Sequence, residues 1–349
     1  MSIVARARPE IRELTPYSSA RMEAAGGAVM LNANESPWAN NGLNRYPDPQ
    51  PQALLARLSQ LYGVAPQQLL VGRGSDEAID LLVRAFCAAG QDAIVVCPPT
   101  FGMYAVSARI QGAQVIEVAL DAQFELDVDA LLAAITPNVK LVFLCSPNNP
   151  TGGVVPIAAI ERIATALAEQ ALVVVDEAYI EFAQAPSALG LLPTHANVAV
   201  LRTLSKAYAL ASARIGAVAA AAEIIELLRR IQAPYPLPAP SVVAALSALD
   251  SLARPQVDAA VARTIAAREA LRQEIAALPS VRAVLPSRAN FLCVRFDQPE
   301  LYRQLLRQGI VVRDVSRYPQ LDGYLRISIG TPDENARLLA ALREFGVAS

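Results

Sequence analysis

The feature that most constrains the fold of this chain is a series of short apolar runs separated by helical segments. Several runs are apolar throughout, as in strands that are covered on both faces. With helices between them, such strands are typical of a mostly parallel sheet in an α/β domain. The predicted strands are Leu69–Val71, Ala93–Cys97, Val115–Val118, Leu141–Cys145, Leu172–Val175, Val198–Leu201 and Ile215–Val218.

A proline-rich segment, residues 233–240, ends this alternation, because four prolines in eight residues exclude a helix interior. A helical stretch follows over about 241–278, with a break near Pro255. The remaining pattern predicts strands at 291–296, 310–312 and 325–329 and helices at 301–308 and 332–345. We therefore expect a smaller α+β domain over 241–349, a large domain over 31–240, and an N-terminal arm, 1–30, that packs on the small domain.

Composition excludes several classes of function. A chain of 349 residues with 54% hydrophobic residues can bury a sizeable core. A net charge of −2 argues against a nucleic-acid partner. No run approaches the roughly 20 apolar residues of a membrane span, and the N-terminus lacks a signal-peptide core. A cytoplasmic location is the expectation.

Cysteine and histidine usage limits the chemistry further. The four cysteines form no C-x-x-C pair, which favours buried reduced thiols. With the single histidine, His195, a histidine-based metal site is excluded, and the expected metal content is none. His195 lies in a polar connector before a predicted strand, which favours a surface loop over a catalytic role.

Polar motifs follow four of the predicted strands and begin at Gly72, Ser146, Asp176 and Thr203. Ligands bind outside the carboxyl ends of the strands in parallel sheets. The first of these turns contains Gly74, Ser75 and Asp76 at the start of a predicted helix that runs from Ser75 to Ala89. Free N–H groups at a helix start attract an anion, although a plain N-cap explains the same residues.

Asp176 and Lys206 end two different strands, and Asn149 follows a third. A carboxylate at Asp176 could face a pyridine nitrogen and keep it protonated, while Tyr179 and Asn149 reach the ring's phenolic oxygen. A capping carboxylate and an ordinary turn are the alternatives. For Lys206 the alternative is a solvated surface charge.

The neighbours of Lys206 favour an amine that traps an aldehyde. Thr203 and Ser205 supply hydroxyl groups, and Arg214 supplies a guanidinium fork for a phosphate. Cationic neighbours and desolvation would lower the pKa of the lysine and favour the neutral amine that forms a Schiff base.

Together these motifs resemble the fold-type I family of pyridoxal-phosphate aminotransferases, and more narrowly its histidinol-phosphate aminotransferase branch. The similarity covers nearly the whole chain. It rests on the turn at Gly72, the Asn149 turn, and the segments Leu31–Pro37, Arg45–Asp48, Pro98–Tyr104, Asp176–Phe182, Arg202–Arg214 and Leu325–Thr331.

The resemblance implies pyridoxal 5'-phosphate in a Schiff base with Lys206, which also shuttles the proton. It implies that Asp176 pairs with the pyridinium, that Asn149 and Tyr179 contact the phenolic oxygen, and that Tyr104 stacks on the ring. The residues implied to hold or lie beside the cofactor phosphate are Gly74, Ser75, Asp76, Thr203, Ser205 and Arg214.

The resemblance also implies a homodimer with shared active sites, because Tyr46 matches a position that reaches the partner's cofactor phosphate. The residues implied to surround a small-molecule substrate are Tyr17, Asn34, Asn290, Arg313 and Arg326. Two guanidinium groups suit substrates that carry a phosphate or two carboxylates, although a simple ion pair with Asp314 is an alternative for Arg313.

The chain departs from the family pattern at two places. Residues 211–213 contain no glycine, and Phe101 stands where a tyrosine is common. The implied reaction is transamination between L-histidinol phosphate and 2-oxoglutarate, giving imidazole-acetol phosphate and L-glutamate in histidine biosynthesis. The alternatives are an aromatic amino-acid aminotransferase, a phosphoamino-acid decarboxylase of the same fold, and a non-catalytic cofactor-binding module.

Overall fold

The computed structural model describes residues 2–17, 29–38 and 41–347, which form two sheets of seven and four strands with flanking helices. The predicted α/β class, with a mostly parallel large sheet and a smaller α+β part, is confirmed. The strands are β1 (Leu69–Gly72), β2 (Ala93–Val96), β3 (Gln114–Glu117), β4 (Val139–Cys145), β5 (Leu172–Asp176), β6 (Val198–Thr203), β7 (Gly216–Ala220), β8 (Val281–Val284), β9 (Phe291–Phe296), β10 (Arg313–Asp314) and β11 (Tyr324–Ser328).

The α-helices of the described residues are α1 (Pro9–Arg12), α2 (Gln52–Tyr62), α3 (Ser75–Phe86), α4 (Met103–Gln111), α5 (Val128–Ala133), α6 (Ile157–Ala166), α7 (Ala222–Ile231), α8 (Ala239–Ala248), α9 (Arg254–Ala276), α10 (Leu301–Arg307) and α11 (Pro332–Val347). None of them is both long and apolar enough to cross a membrane.

The large sheet has the strand order β1-β7-β6-β5-β4-β2-β3. Strands β2 to β6 pair in parallel, and β7 is antiparallel to both of its neighbours. One face is covered by a core that includes Val173 and Val175, and the other by a core that includes Val174. Because alternate side chains of β5 are buried on opposite faces, the strand is apolar throughout.

The small sheet has the order β10-β11-β9-β8, and all its strands are antiparallel. Helix α9 connects the two cores: Val261 and Ile265 pack on the large core, whereas Leu271 and Ile275 belong to the small one. Helix α8 packs on the large core through Ala245. We therefore keep the division into two domains as a proposal, with α8 on the side of the large sheet.

Three expectations about segments were wrong. Helix α3 ends at Phe86 instead of Ala89. Residues 310–312 are not a strand, because pairing with β11 begins only at Arg313. The arm, over residues 2–14, packs on the large domain, where Ile3 and Ala7 are buried in the core that contains α3 and α7. The rest of the arm lies mostly outside the described residues.

The close approach of β7 to the turn before α3 requires a glycine at position 216. Gly216 pairs with Gly72 on β1 and with Thr203 on β6. A Cβ atom at this position would lie 2.3 Å from the carbonyl carbon of Gly74 and 2.4 Å from the nitrogen of Ser75. Both are backbone atoms, so a larger residue would push the start of α3 away from the sheet.

We predict that Gly216→Ala lowers the free energy of unfolding by about 1–3 kcal/mol, the usual cost of overpacking a tight site. Urea unfolding followed by circular dichroism measures the change. Gly190→Ala is the matched control, because a Cβ atom there has no neighbour within 4 Å. Equal stability of the two variants would contradict the steric argument.

Candidate active site

The carboxyl ends of β4, β5 and β6 converge on a cavity of about 100 Å³. The parallel register explains this, because Cys145 lies opposite Asp176 and Asp176 lies opposite Leu201. The residues that line the cavity are Ser75, Asp76, Phe101, Cys145, Asn149, Asp176, Ala178, Tyr179, Thr203, Ser205, Lys206 and Arg214. Nine of the seventeen residues predicted for the site are therefore brought together in this cavity.

Lys206 lies at the cavity after β6, with its Nζ 5.6 Å from the centroid of the Tyr179 ring. Burial lowers the pKa of this amine, and the positive charges of Arg326 and Arg214 lower it further, against the attraction of Asp76 and Asp176. A larger fraction of the amine is thus neutral and nucleophilic than in a solvated lysine. The chain contains only one other lysine, Lys140, which pairs with Asp92 instead.

Asp176 is buried, with only 3% of its surface exposed. Its carboxylate accepts hydrogen bonds from the hydroxyl of Tyr104 at 2.8 Å and from the N–H of Ala178 at 3.1 Å. Burial raises the pKa of Asp176 to about 6, although these two donors counteract that effect. The buried carboxylate can therefore pair with a cation, such as the protonated nitrogen of a pyridine ring.

Asn149 and Tyr179 both line the cavity. The amide nitrogen of Asn149 donates to the hydroxyl of Tyr179 at 3.4 Å. The amide oxygen of Asn149 accepts a hydrogen bond from Arg326, which reaches in from β11. Arg326 thereby connects the small sheet to Asn149 at the cavity.

Hydroxyl groups and a guanidinium surround the start of α3. Thr203 donates to the hydroxyl of Ser205 at 3.0 Å. Arg214 contacts Asp76 at 3.0 Å, and its guanidinium would lie 2.6 Å from a Cβ atom at Gly74, whose φ is +80°. Gly74 thus permits the guanidinium to lie against the helix start, where N–H groups and the helix dipole favour an anion.

These residues fit a pyridoxal phosphate. Ser75, Ser205 and Arg214 offer donors for the phosphate, Asp176 offers an anion for the ring nitrogen, and Lys206 offers the amine. All of these groups line the same cavity. The fit rests on donor types and burial, which a purely structural ion pair would not combine with a half-buried lysine.

Tyr104 does not line the cavity in which a residue that stacks on a cofactor ring would lie. It is fully buried, its ring stacks on Phe143 at 4.7 Å, and its hydroxyl faces Asp176. Besides Tyr179, an aromatic side chain that lines the cavity is Phe101, three residues before Tyr104. Helix α4 begins at Met103, so its first turn directs Tyr104 into the core beneath the cavity. The position of Tyr104 therefore does not suit the predicted stacking on a cofactor ring, and Phe101 is the candidate for that place.

Several residues predicted to bind the substrate, and Tyr46, predicted to reach a cofactor, do not line the cavity in this chain. Tyr17 and Tyr46 are 70% and 46% exposed, and Tyr46 stacks on Tyr235 at 4.4 Å. Asn34 is exposed, with φ +53°. Arg313 lies directly opposite Arg326 in the β10–β11 pair. Asn290 is half-buried at the start of β9 and accepts the N–H of Ile329 through its carbonyl at 2.9 Å.

Of the remaining titratable candidates, His195 and the cysteines, only Cys145 lines the cavity. His195 is on the connector before β6, where its ring contacts the hydroxyls of Thr165 and Thr194. All four cysteines are free and buried, and burial raises the pKa of Cys145 to about 12. In the described ranges no group of three His, Cys, Asp or Glu side chains is suited to a metal ion.

Sequence reasoning missed Cys145 as a residue of the site and did not foresee the contact of Tyr104 with Asp176. Cys145 lines the cavity, and the hydroxyl of Tyr104 donates a hydrogen bond to the carboxylate. A strand-end position directly opposite Asp176 was the available signal for Cys145. The role of Tyr104 depends on where α4 begins, which the sequence pattern did not fix.

We predict that Asp176→Asn stabilises the cofactor-free protein at neutral pH. The folded-state pKa of Asp176, about 6, exceeds its ordinary value of 3.8, so the stability that this group contributes is present below pH 3.8 and is lost as the pH rises through 6. The difference between these two pKa values corresponds to about 3 kcal/mol in the free energy of unfolding. Urea unfolding from pH 4 to 7.5 should show the variant gaining relative to the unsubstituted chain, whereas exposed Asp258→Asn should show no such trend. A pH-independent difference for Asp176→Asn would contradict the burial argument.

Comparison with known proteins places this site in a family. The profile of the family "Aminotransferase class I and II" matches residues 27–342. The chain is 55% identical to histidinol-phosphate aminotransferase of Stenotrophomonas maltophilia over 97% of this chain and 96% of the relative. It is 53% identical to the enzyme of that name from Xanthomonas campestris pv. campestris, over 98% and 97%.

A solved structure supports the same relationship. Histidinol-phosphate aminotransferase from Sinorhizobium meliloti, in complex with pyridoxal-5'-phosphate, has a TM-score of 0.80, 26% identity and 90% coverage of each chain. The family match covers most of the chain, and the cavity has the amine, carboxylate and guanidinium that such an enzyme needs. The chain belongs to the class I and II aminotransferase family.

Proposed function

We propose that the protein is a pyridoxal-phosphate-dependent aminotransferase that converts L-histidinol phosphate and 2-oxoglutarate to imidazole-acetol phosphate and L-glutamate, a step of histidine biosynthesis. The observation that carries the proposal is the convergence of Lys206, Asp176 and Arg214 on one cavity. The full-length identity to relatives named histidinol-phosphate aminotransferase supports the choice of substrate.

Each cavity residue has a proposed role toward the cofactor. Arg214, Ser75 and Ser205 hold its phosphate, and Gly74, Asp76 and Thr203 shape that cup. Asp176 faces its ring nitrogen, Asn149 and Tyr179 donate to its phenolic oxygen, and Phe101 covers a face of the ring. When bound, pyridoxal phosphate supplies an electron sink for the charge left on the substrate α-carbon.

Lys206 is the proposed base and acid of the reaction. Burial, Arg326 and Arg214 lower the pKa of this amine, which favours the neutral form that can accept a proton from the substrate α-carbon and return it. Tyr179 lies beside the amine and orients it. Asp176 keeps its negative charge through the hydroxyl of Tyr104 and the N–H of Ala178. Lys206 is thus proposed to move the proton, and Asp176 to balance the charge of the ring nitrogen.

Two arginines suit the proposed substrates. Arg313 and Arg326 lie opposite each other on β10 and β11, so their side chains leave the sheet on the same face. Arg326 already reaches the cavity through Asn149. A pair of guanidinium groups can bind a phosphate ester or a second carboxylate bidentately, which fits a donor and an acceptor that use one site in turn. Asn290, next to β9, is proposed to complete this side.

A homodimer with shared sites is part of the proposal. Tyr17, Asn34 and Tyr46 match substrate or cofactor positions of the family, yet they are exposed and do not line this chain's own cavity. They are proposed to serve the cavity of a second copy. Leu31 and Trp38, which are 88% and 87% exposed, supply apolar surface for that contact. We also propose a cytoplasmic location.

We predict that Lys206→Ala abolishes transamination, with a loss of at least about a thousandfold, because both the covalent anchor and the proton carrier are removed. The violet absorption that pyridoxal phosphate acquires on binding the protein should also disappear. Lys140→Ala is the matched control and should keep both properties.

Substrate choice is tested in the same assays. Histidinol phosphate should bleach the absorption and turn over with 2-oxoglutarate far better than phenylalanine does, without release of carbon dioxide. Preference for phenylalanine would instead indicate an aromatic amino-acid aminotransferase, and carbon dioxide release a decarboxylase. Unchanged turnover in Lys206→Ala would contradict the whole assignment.

A second prediction concerns the hydrogen bond between Tyr104 and Asp176. Tyr104→Phe removes a donor to the carboxylate, so the pKa of Asp176 should rise. Hydrogen bonds to charged groups contribute about 1.5–3 kcal/mol, which corresponds to about one pH unit or more. The acid-side loss of pyridoxal phosphate affinity should therefore begin at higher pH. Fluorescence titrations from pH 5 to 8 measure this, with Tyr302→Phe on α10 as the control, and an unmoved acid limb would refute the role of Tyr104.

A further inference from the structure

The side chain of Arg268 is almost completely buried. It lies on α9, which contacts both cores, and only 2% of its surface is exposed. Among the described residues its carboxylate contact is Glu269, at 3.2 Å, and Glu269 is itself 47% exposed. A buried guanidinium is costly unless its N–H groups are hydrogen-bonded. The contacts of this side chain therefore decide what it does.

Nη1 of Arg268 donates to two backbone carbonyls that belong to different parts of the fold. One is the carbonyl of Ala289, at 2.9 Å, in the connection between β8 and β9 (residues 285–290, the β8–β9 connection). The other is the carbonyl of Phe182, at 3.4 Å, in the short helical turn after Tyr179 (residues 179–182, the Tyr179 turn). One cationic group thus joins the small sheet to a loop of the large domain.

Both segments that Arg268 contacts are close in sequence to residues of the proposed site. Ala289 precedes Asn290 and Phe291, and the ring of Phe291 meets the Tyr179 ring edge-to-face at 5.2 Å. The guanidinium of Arg326 lies over the ring of Phe291, 5.4 Å from its centroid. Phe291 therefore contacts both a proposed cofactor residue and a proposed substrate residue, and its position follows from that of the β8–β9 connection.

The β8–β9 connection is held from a second direction. The carbonyl of Gly152, three residues after Asn149, accepts the N–H of Arg288 at 2.8 Å. A Cβ atom at Gly152 would lie 2.5 Å from the hydroxyl of Ser287, so the two segments touch closely. The turns that carry Asn149 and Tyr179 are thus both fixed to this connection, and Arg268 supplies the contact on the Tyr179 side.

We propose that Arg268 is a positioning residue that holds the β8–β9 connection against the Tyr179 turn and so sets the alignment of Arg326 with Tyr179 and Asn149. The inference rests on the function proposed above, because it assigns consequences to residues of that site. It concerns substrate binding most, since the connection leads to Asn290 and Phe291. A misplacement of about 1 Å at such residues costs up to about a hundredfold in rate.

The test compares Arg268→Met with Arg272→Met. Both changes remove a guanidinium from α9 and keep an unbranched apolar stem, but Arg272 is 38% exposed and contacts only Glu269 among the described hydrogen bonds. For each protein, the dissociation constant of pyridoxal phosphate, the KM for histidinol phosphate, kcat and the thermal midpoint are measured. Arg268→Lys is added because it keeps the buried charge with a shorter reach.

Arg268→Met should raise the KM for histidinol phosphate by roughly tenfold or more and the cofactor dissociation constant by a smaller factor, with kcat less affected. Arg272→Met should match the unsubstituted chain, and Arg268→Lys should fall between. If Arg268→Met does not fold, the same two constants of Arg268→Lys decide: raised values support the proposal, and unchanged values overturn it.

A lower thermal midpoint in Arg268→Met with unchanged KM and cofactor affinity would overturn the proposal, because it would assign Arg268 to packing alone. This result is distinct from failure of the proposed function. If the unsubstituted chain neither binds pyridoxal phosphate nor turns over histidinol phosphate, the function fails first. If it does both and the two arginine variants behave alike, only the role of Arg268 fails.

Discussion

The parallel register of β4, β5 and β6 is the constraint on which the site depends. It places Cys145, Asp176 and Leu201 side by side at one edge of the sheet, and the segments after these strands supply Asn149, Tyr179 and Lys206. A one-residue slip of a strand that is buried on both faces would move the side chains of each core to the opposite face, where they do not fit the packing. The same packing that stabilises the core therefore fixes the relative positions of the reactive groups.

Electrostatics at this edge is arranged around one buried carboxylate. Asp176 loses solvation, and the hydroxyl of Tyr104 and the N–H of Ala178 only partly compensate for that loss. At the same cavity, burial and the charges of Arg326 and Arg214 lower the pKa of Lys206. A carboxylate with a raised pKa and an amine with a lowered pKa are both unfavourable for stability alone. Such opposed pKa shifts in one cavity are typical of functional sites.

The sequence predicted the parts of the site that follow from strand ends. Asn149, Asp176 and Lys206 each come after an apolar run, and parallel strands bring such positions to one edge. It did not predict which aromatic residue faces the cavity, because Phe101 and Tyr104 are separated by the start of α4, and helix starts are uncertain by one or two residues. The arm was misplaced because nothing local shows that Ile3 and Ala7 pack beside α3 and α7. Arg268 was missed because an arginine in a charged helix normally indicates a solvated face.

The central claim is that Lys206 is the amine that reacts with pyridoxal phosphate. Incubation with the cofactor, reduction with sodium borohydride and mass spectrometry of the digested protein test it directly, because Lys140 and Lys206 are the chain's two lysines. The account predicts that the reduced cofactor is attached to the peptide containing Lys206 and to no other. Attachment at Lys140, or no attachment at saturating cofactor, would contradict it.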